Sequence, residues 1–150
     1  MLILKLNKSG GIVDVWNNSK GAMYGIDLAV DGEGFIYVTG SFDGRISFKN
    51  KQLTAYNNGR DLFLLKLNPN GDLVQLEKYG NAGIEEGAVL ETMGEDQIIL
   101  CGRYFSNGLS FGQIDLKPDR PAQLPNCFVI RLGENFKPKQ YLNNMNPFCT

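Results

Sequence analysis

The sequence contains no histidine. This absence excludes Ser-His-Asp and Cys-His catalysis and removes the imidazole ligands that most zinc enzymes use. Only three cysteines are present, Cys101, Cys127 and Cys149, and their spacing matches no zinc-binding pattern. We therefore predict no metal site, no bound cofactor and no catalytic residue.

The sequence also has no excess of charge of either sign and no long apolar run. The 15 basic and 16 acidic residues are spread along the chain and give a net charge of −1. Without a basic stripe to pair with phosphates, nucleic acid is not expected as a partner. No apolar run approaches the roughly 20 residues of a membrane span. The apolar start at Met1–Lys5 is too short for a signal peptide and is interpreted as a strand.

Glycine and short apolar runs are abundant. The chain has 18 glycines, 43% hydrophobic residues and 11% aromatic residues. Runs such as Phe35-Ile36-Tyr37-Val38-Thr39 have β-rich composition, and the breaks between runs carry Gly and Asn, which suit tight hairpin turns. These features predict an all-β fold with many turns.

An internal repeat of about 60 residues organises the chain. Leu6, Leu67 and Leu132 occupy the same place in three similar segments and are 61 and 65 residues apart. Further anchors recur 62 or 63 residues apart: Gly25 with Gly87, Gly40 with Gly102, and Phe42, Ile46 and Phe48 with Phe105, Leu109 and Phe111. Several anchors that share one period indicate a true structural repeat.

Each repeat reads as four short strands, a to d. We predict strands near 26–31, 35–42, 61–68 and 73–79, again near 87–93, 97–104, 127–133 and 138–143, and a lone c–d pair near 2–7 and 12–17. Four strands per repeat fit a β-propeller blade of four antiparallel strands better than the shorter coils of a solenoid, the main structural rival. The predicted organisation is two and a half blades: a half blade at 1–18 and full blades at 22–80 and 84–145.

One stretch carries a family resemblance. Asp31-Gly32-Glu33-Gly34-Phe35-Ile36-Tyr37-Val38-Thr39-Gly40-Ser41-Phe42 resembles the core of the SBBP repeat, a bacterial β-propeller repeat family. Asp61-Leu62-Phe63-Leu64-Leu65-Lys66-Leu67-Asn68-Pro69-Asn70-Gly71 resembles its second element, and Tyr79-Gly80 its ending. The second full unit departs from the pattern at 93–97 and 100–102. The resemblance implies a propeller in a secreted or cell-surface bacterial protein, and it carries no catalytic motif.

The two-and-a-half-blade count also predicts partners. A propeller has four to eight blades, and end blades expose apolar faces that drive association. We therefore expect this chain to join the remaining blades of a longer propeller or to self-associate.

Candidate binding residues fall in two regions. Strand a lines the channel of a propeller, so Tyr24, Asp27, Glu85 and Glu86 are candidates at its mouth, where carboxylates could hold a cation, an amine or a sugar hydroxyl or could simply be solvated turn residues. The long b–c connections, 43–60 and 106–126, add four side chains that could meet a partner: Arg45, Tyr56, Arg60 and Arg120.

Aromatic and cysteine side chains have competing interpretations. Phe48 and Phe111, at equivalent repeat positions, are expected to anchor their connections by packing, and Trp16 is assigned to the core rather than to an exposed sugar platform. Cys101 and Cys127 could face each other across a ladder as a disulfide or remain two buried free thiols.

Together these features predict a non-catalytic module that offers a binding or scaffolding surface to a protein or a glycan. The alternative is a carbohydrate-active enzyme, a glycoside hydrolase or lyase, that uses acidic residues at the channel mouth, since such chemistry needs no histidine. A spacer array without a ligand of its own is the third hypothesis.

Overall fold

A computed structural model describes residues 1–94, 97–121 and 123–143. Apart from two 3-10 turns, Tyr56–Asn58 and Glu134–Phe136, its regular structure is entirely β. The thirteen strands in the described residues are β1 Leu2–Leu6, β2 Ile12–Asn17, β3 Lys20–Val30, β4 Ile36–Phe48, β5 Lys51–Thr54, β6 Arg60–Leu67, β7 Leu73–Tyr79, β8 Glu85–Thr92, β9 Ile98–Tyr104, β10 Leu109–Phe111, β11 Ile114–Leu116, β12 Asn126–Leu132 and β13 Pro138–Asn143.

The strands form three successive antiparallel sheets and one separate hairpin. The first sheet contains β1 and β2, and the middle sheet has the order β3-β4-β6-β7 with β5 paired to β4. The last sheet has the order β8-β9-β12-β13, and β10 pairs with β11. All ten predicted strands are present, two, four and four in successive sheets, so the predicted all-β class is confirmed. Residues 144 and 145 of the last predicted blade lie outside the described residues.

The middle sheet is covered on both faces. Alternate side chains of a strand point to opposite faces, yet β6 is buried along almost its whole length, from Asp61 to Leu67. One face contributes Phe63, Leu65 and Leu67 to a core shared with the first sheet, in which Trp16 is buried as the sequence predicts. The other face contributes Leu62 and Leu64 to a core shared with the last sheet. The near-continuous apolar sequence of β6 therefore reflects its position in a sheet that is packed between two other sheets.

Both predicted loop connections contain regular β structure. The structure corrects the interpretation of 43–60, because β4 continues to Phe48 and turns back into β5. It corrects 106–126 in the same way, because the β10–β11 hairpin lies within it. Apolar residues at alternate positions in short runs, such as Ile46 and Phe48, extend the ladder instead of breaking it. Phe48 and Phe111 are both fully buried, in agreement with their predicted anchoring role.

The cysteine interpretations were both wrong. In the register of the last sheet, Cys101 lies opposite Val129 and Cys127 lies opposite Arg103, so the two cysteines are not a cross-strand pair. Cys101 is a half-buried free thiol, whereas Cys127 is disulfide-bonded. Cys149 lies outside the described residues. Sequence reasoning placed both cysteines on the correct strands but could not supply the register of the two strands.

Within the described ranges, no helix has the length and apolar character needed to cross a membrane.

Candidate functional site

Three of the predicted candidates meet where the middle and last sheets adjoin. They are Tyr24 on β3, Arg60 at the start of β6 and Glu86 on β8. Two residues that the sequence did not single out complete the group, Asp43 on β4 and Arg103 on β9. We call these five side chains the Arg60 cluster.

The centre of the cluster is a bidentate ion pair. Asp43 and Arg60 are direct cross-strand partners, and the guanidinium donates from Nε to Oδ1 at 2.8 Å and from Nη2 to Oδ2 at 3.1 Å. The hydrogen bonds from Arg60 lower the pKa of the Asp43 carboxyl, and the hydrogen bond to Asp43 raises the pKa of Arg60. Both side chains are a little more than a third exposed, so the pair fixes geometry more than it adds stability.

A second cross-strand ion pair joins the first across the two sheets. Glu86 and Arg103 are partners in the last sheet, and Arg103 donates to Glu86 Oε2 from Nε and Nη2 at 2.8 Å each. The remaining oxygen of Glu86, Oε1, accepts a 3.5 Å contact from Arg60 Nη1. The carboxylate of Glu86 therefore bridges two guanidiniums on different sheets.

Aromatic rings flank both guanidiniums. Arg60 lies over the ring of Tyr24 with its Cζ 5.1 Å from the centroid, and the Tyr24 hydroxyl donates to Asp43 Oδ2 at 3.3 Å. Arg103 lies over Phe105 at 5.8 Å. Tyr24 is 46% exposed and the Arg103 side chain 54% exposed, so both present a large accessible surface. Cation–π contact and ion pairing hold these flexible side chains in fixed positions.

This arrangement is suited to recognition. Two carboxylates balance two guanidiniums, and the charges alternate across the cluster. Arginine and tyrosine carry a large share of binding energy in protein interfaces, because they combine apolar area with directed hydrogen bonds. A pre-ordered charged surface of this kind can select a partner with the complementary pattern.

Glu85 does not belong to the exposed mouth that the sequence predicted. It is fully buried between the sheets, where its Oε2 accepts the backbone N–H of Asn81 at 3.1 Å. Its Oε1 has no hydrogen-bond partner among the described residues. Burial raises the pKa of Glu85 to about 7. Adjacent side chains on one strand point to opposite faces, so Glu85 points into the interior and Glu86 points to the surface.

A second buried carboxylate, Asp61, escaped the sequence analysis. It accepts the backbone N–H of Tyr56 at 3.0 Å and the Nζ of Lys78 at 2.9 Å, and it raises the pKa of Glu85. Asp61 was visible in sequence only as the residue that precedes an apolar run. Its role depends on the turn at Tyr56, which the structure alone reveals.

Asp27 bridges two strands of neighbouring sheets. Its Oδ2 accepts the backbone N–H of Leu90 on β8 at 2.8 Å. The carboxylate therefore joins the middle and last sheets, and its expected place at a channel mouth stays a prediction.

The other candidates lie outside the Arg60 cluster. Arg45 is exposed on β4 opposite Thr54, and Tyr56 is exposed in its 3-10 turn. Arg120 is partly buried in the connection before β12, with its backbone N–H 3.3 Å from Asn126 Oδ1. Three of the eight predicted residues therefore belong to the five-residue Arg60 cluster, and the other five lie outside it.

No group of three or more potential metal-ligating side chains occurs within the described part of the chain.

Comparison with known families supports the repeat. A family model described as a beta-propeller repeat, SBBP, matches residues 19–44, which span β3 and most of β4. A search of curated proteins found no match to the chain. The chain therefore carries an SBBP β-propeller repeat at 19–44, and its antiparallel four-stranded sheets agree with that architecture.

Proposed function

We propose that this chain is a non-catalytic β-propeller repeat module whose Arg60 cluster binds a protein ligand. The observation that carries the proposal is the convergence of Tyr24, Arg60 and Glu86, from three strands on two sheets, into one ordered and partly exposed surface. A protein partner suits it better than a sugar, because the cluster pairs fixed opposite charges with an exposed tyrosine.

A scaffolding role is supported by the outer face of the last sheet. In the repeat, the cross-strand pair Ile99–Arg131 is equivalent to Tyr37–Lys66 of the middle sheet. The pair Cys101–Val129 is equivalent to Thr39–Leu64. In the middle sheet this face is covered by the last sheet. In the last sheet, Ile99, Val129 and Arg131 line an open groove of about 630 Å³.

Arg131 on the same face has an unsatisfied hydrogen-bond donor. Its Nε is buried and has no hydrogen-bond partner among the described residues. Lys66, at the equivalent position, lies over the rings of Phe35 and Tyr37 at 4.4 and 5.2 Å. We infer that a further repeat unit of a larger propeller packs here and satisfies Arg131. Self-association through this face would be seen as a concentration-dependent dimer in light scattering.

The two buried carboxyl groups in the described part of the chain do not favour the alternative of a carbohydrate-active enzyme. Its chemistry needs two carboxyl groups that face an open cleft. The neighbouring buried carboxyls, Asp61 and Glu85, are both inaccessible to a substrate. A secreted or cell-surface bacterial setting is part of the proposal and rests on the family resemblance.

The binding proposal is tested with surface-displayed peptide and protein libraries selected against the purified chain, beside a glycan array and a glycoside-hydrolysis screen. Binders that use the cluster should lose at least about tenfold in affinity against Arg103→Ala and Tyr24→Ala, as truncated interface anchors do. Both residues are exposed, so their replacement should leave the fold intact.

Lys51→Ala is the matched control. Lys51 forms an exposed 3.3 Å ion pair with Glu77 in the middle sheet, outside the cluster. Protein binders that ignore all three substitutions would contradict the proposed surface. Glycan binding that depends on Tyr24 would assign the ligand class to carbohydrate, and turnover of a glycoside would contradict the non-catalytic assignment.

A further inference from the structure

Asp61 on β6 and Lys78 on β7 form a close ion pair with a buried carboxyl group. Lys78 Nζ lies 2.9 Å from Asp61 Oδ2, and Asp61 is fully buried. The ion pair between Lys51 and Glu77 is different, since both of its side chains are 43% exposed. A low-dielectric surrounding penalises separated charges. Proton transfer within a buried pair therefore gives a neutral acid and a free amine at a lower cost than in water.

The register of β6 and β7 holds the amine against the carboxyl group. Lys78 lies opposite Phe63, which is two residues from Asp61, so the long lysine side chain reaches its partner diagonally on one face of the sheet. Gly80 leaves space for the carboxyl group, because a Cβ at that position would overlap Asp61 Cγ. Lys78 Nζ therefore lies beside the carbon atom of the carboxyl group, near the geometry in which a nitrogen attacks a carbonyl carbon.

A backbone N–H group points at the same carboxyl group. The N–H of Tyr56 donates to Asp61 Oδ2 at 3.0 Å and to Oδ1 at 3.2 Å. A fixed N–H donor of this kind stabilises the negative charge that develops on a carbonyl oxygen during nucleophilic attack. The 3-10 turn that begins at Tyr56 therefore supplies an electrophilic group to Asp61.

Glu85 adds a buried acid to the pair. Its Oε2 accepts the N–H of Asn81, the residue after Gly80, and its Oε1 makes no hydrogen bond within the part of the chain that the structure describes. Burial raises the pKa of Glu85 to about 7, with opposing electrostatic contributions from Asp61 and Lys78. An acid with a pKa near the working pH is well suited to release and take up a proton.

The repeat does not require these three ionisable residues at their positions. The equivalents of Asp61, Lys78 and Glu85 in the other units are uncharged: Asn126, Asn143 and Met23. Two of these equivalents, Asn126 and Met23, are buried as well. The combination of acid, amine and second acid therefore distinguishes this place in the middle sheet from the same place in its neighbours.

We propose that Asp61 and Lys78 join through a covalent amide bond once the chain has folded, with Glu85 as the proton-transfer group. The ammonium group first gives a proton to the carboxylate. The Nζ lone pair then forms a bond to Asp61 Cγ, and one carboxyl oxygen leaves as water. Glu85 gives a proton to the departing oxygen and takes one from the nitrogen, so it is regenerated. One carboxylate and one ammonium group thus become one amide and one water molecule, and no further reactant is needed.

The bond would connect two neighbouring strands of the middle sheet. It would keep β6 and β7 joined in denaturant, where the hydrogen bonds between strands break, and it would restrict the unfolded chain as a disulfide does. The reaction occurs once in each chain and gives no turnover, so it is compatible with a non-catalytic module. This inference is independent of the Arg60 cluster.

Intact-mass spectrometry of the reduced full chain tests the proposal. We expect the mass of the sequence less one molecule of water, and peptide mapping should find Asp61 linked to Lys78. Lys78→Arg keeps the positive charge but removes the primary amine, so it should have its full mass. Glu85→Gln should reduce the linked fraction of freshly purified chain at least about tenfold, because an amide does not transfer the protons.

Lys51 and Glu77 are the matched control, because they form an exposed ion pair in the same sheet. They should remain unlinked, and Lys51→Arg should lose water as the wild type does. Thermal melting verifies that each variant is folded, and the mass of the wild-type chain decides the outcome if a variant is not. A wild-type chain of full mass, a loss of water mapped to other residues, or a Glu85→Gln variant that is linked as completely as the wild type would each overturn the proposal.

Discussion

Asp27 on β3 is hydrogen-bonded to Leu90 on β8, 63 residues further along the chain. Asp27 Oδ2 accepts the backbone N–H of Leu90 at 2.8 Å, while Oδ1 accepts the N–H of Leu28 at 2.9 Å. Both strands have a register shift at this level, Gly25/Asp27 and Gly87/Val89. One carboxylate therefore satisfies backbone groups in two sheets where the regular ladders are interrupted.

Replacement of Asp27 by alanine should weaken the junction of the middle and last sheets. Hydrogen bonds to a charged group contribute about 1.5–3 kcal/mol each, so we expect Asp27→Ala to lower the free energy of unfolding by about 1–3 kcal/mol. Urea denaturation followed by tryptophan fluorescence measures it. Glu33→Ala, at an exposed turn carboxylate, should change stability by less than about 0.5 kcal/mol. Equal effects of the two substitutions would contradict the bridging role.

The repeated glycines Gly40 and Gly102 should not tolerate alanine. A Cβ at position 40 would overlap the carbonyl oxygen of Tyr24, and one at 102 would overlap that of Glu86, in both cases backbone of the adjacent strand. We expect Gly40→Ala to cost about 1–3 kcal/mol of stability through overpacking. Gly32→Ala is the control, since no atom lies near its Cβ position, and it should change stability by no more than about 1 kcal/mol. A neutral Gly40→Ala variant would show that β3 and β4 are not so close.

Glu85 should make stability fall as the pH rises. Burial raises its pKa in the folded state to about 7, above the ordinary value of 4.5, with Asp61 raising it further and Ser106, Asn81 and Lys78 opposing the shift. A raised folded-state pKa gives a stabilising contribution that is complete below about pH 4.5 and is lost as the pH rises through about 7.

Glu85→Gln should therefore be less sensitive to pH than the wild type between pH 5 and 8. Urea unfolding at pH 5, 6, 7 and 8 measures the difference, which should grow with pH in favour of the glutamine variant. The exposed Glu77→Gln variant should follow the wild type at every pH. Parallel pH profiles for the wild type and Glu85→Gln would refute the assignment of the titration to this residue.

Cys101 should react slowly with thiol reagents in the native chain. Its side chain is half-buried, and burial raises the pKa of its thiol, which lowers the reactive thiolate fraction at neutral pH. Labelling with a disulfide reagent at pH 7.5 should be slower for Cys101 than for free cysteine and should accelerate in urea. Peptide mapping without reductant that found Cys101 linked to Cys127 would contradict the register.

The order of strands was predictable because alternation and turn residues are local signals. The buried strands were predicted from two apolar runs, Phe35-Ile36-Tyr37-Val38-Thr39 and the run after Asp61. The repeat was predicted from the 62-residue spacing of Gly40 and Gly102. The b–c connections were misassigned, because short strands such as Leu109–Phe111 contain too few residues to show alternation.

The candidate site was predictable only in part. Tyr24 and Glu86 were chosen from their expected position on strand a and lie in the Arg60 cluster, while Glu85, one residue away, points into the interior. Asp43 and Arg103 were missed because a cross-strand ion pair has no sequence signature until the register is known.

The sequence by itself determined the all-β class, the four main strands of each full unit and the repeat, since these depend on backbone preferences and on apolar residues placed along one chain. Only the tertiary structure decided which carboxylates are buried, which cysteine is free, and how the charges of the Arg60 cluster meet. Those properties depend on the face toward which each side chain points and on the sheet that covers it. A shift of one residue in register would reverse the faces, and no local pattern records that choice.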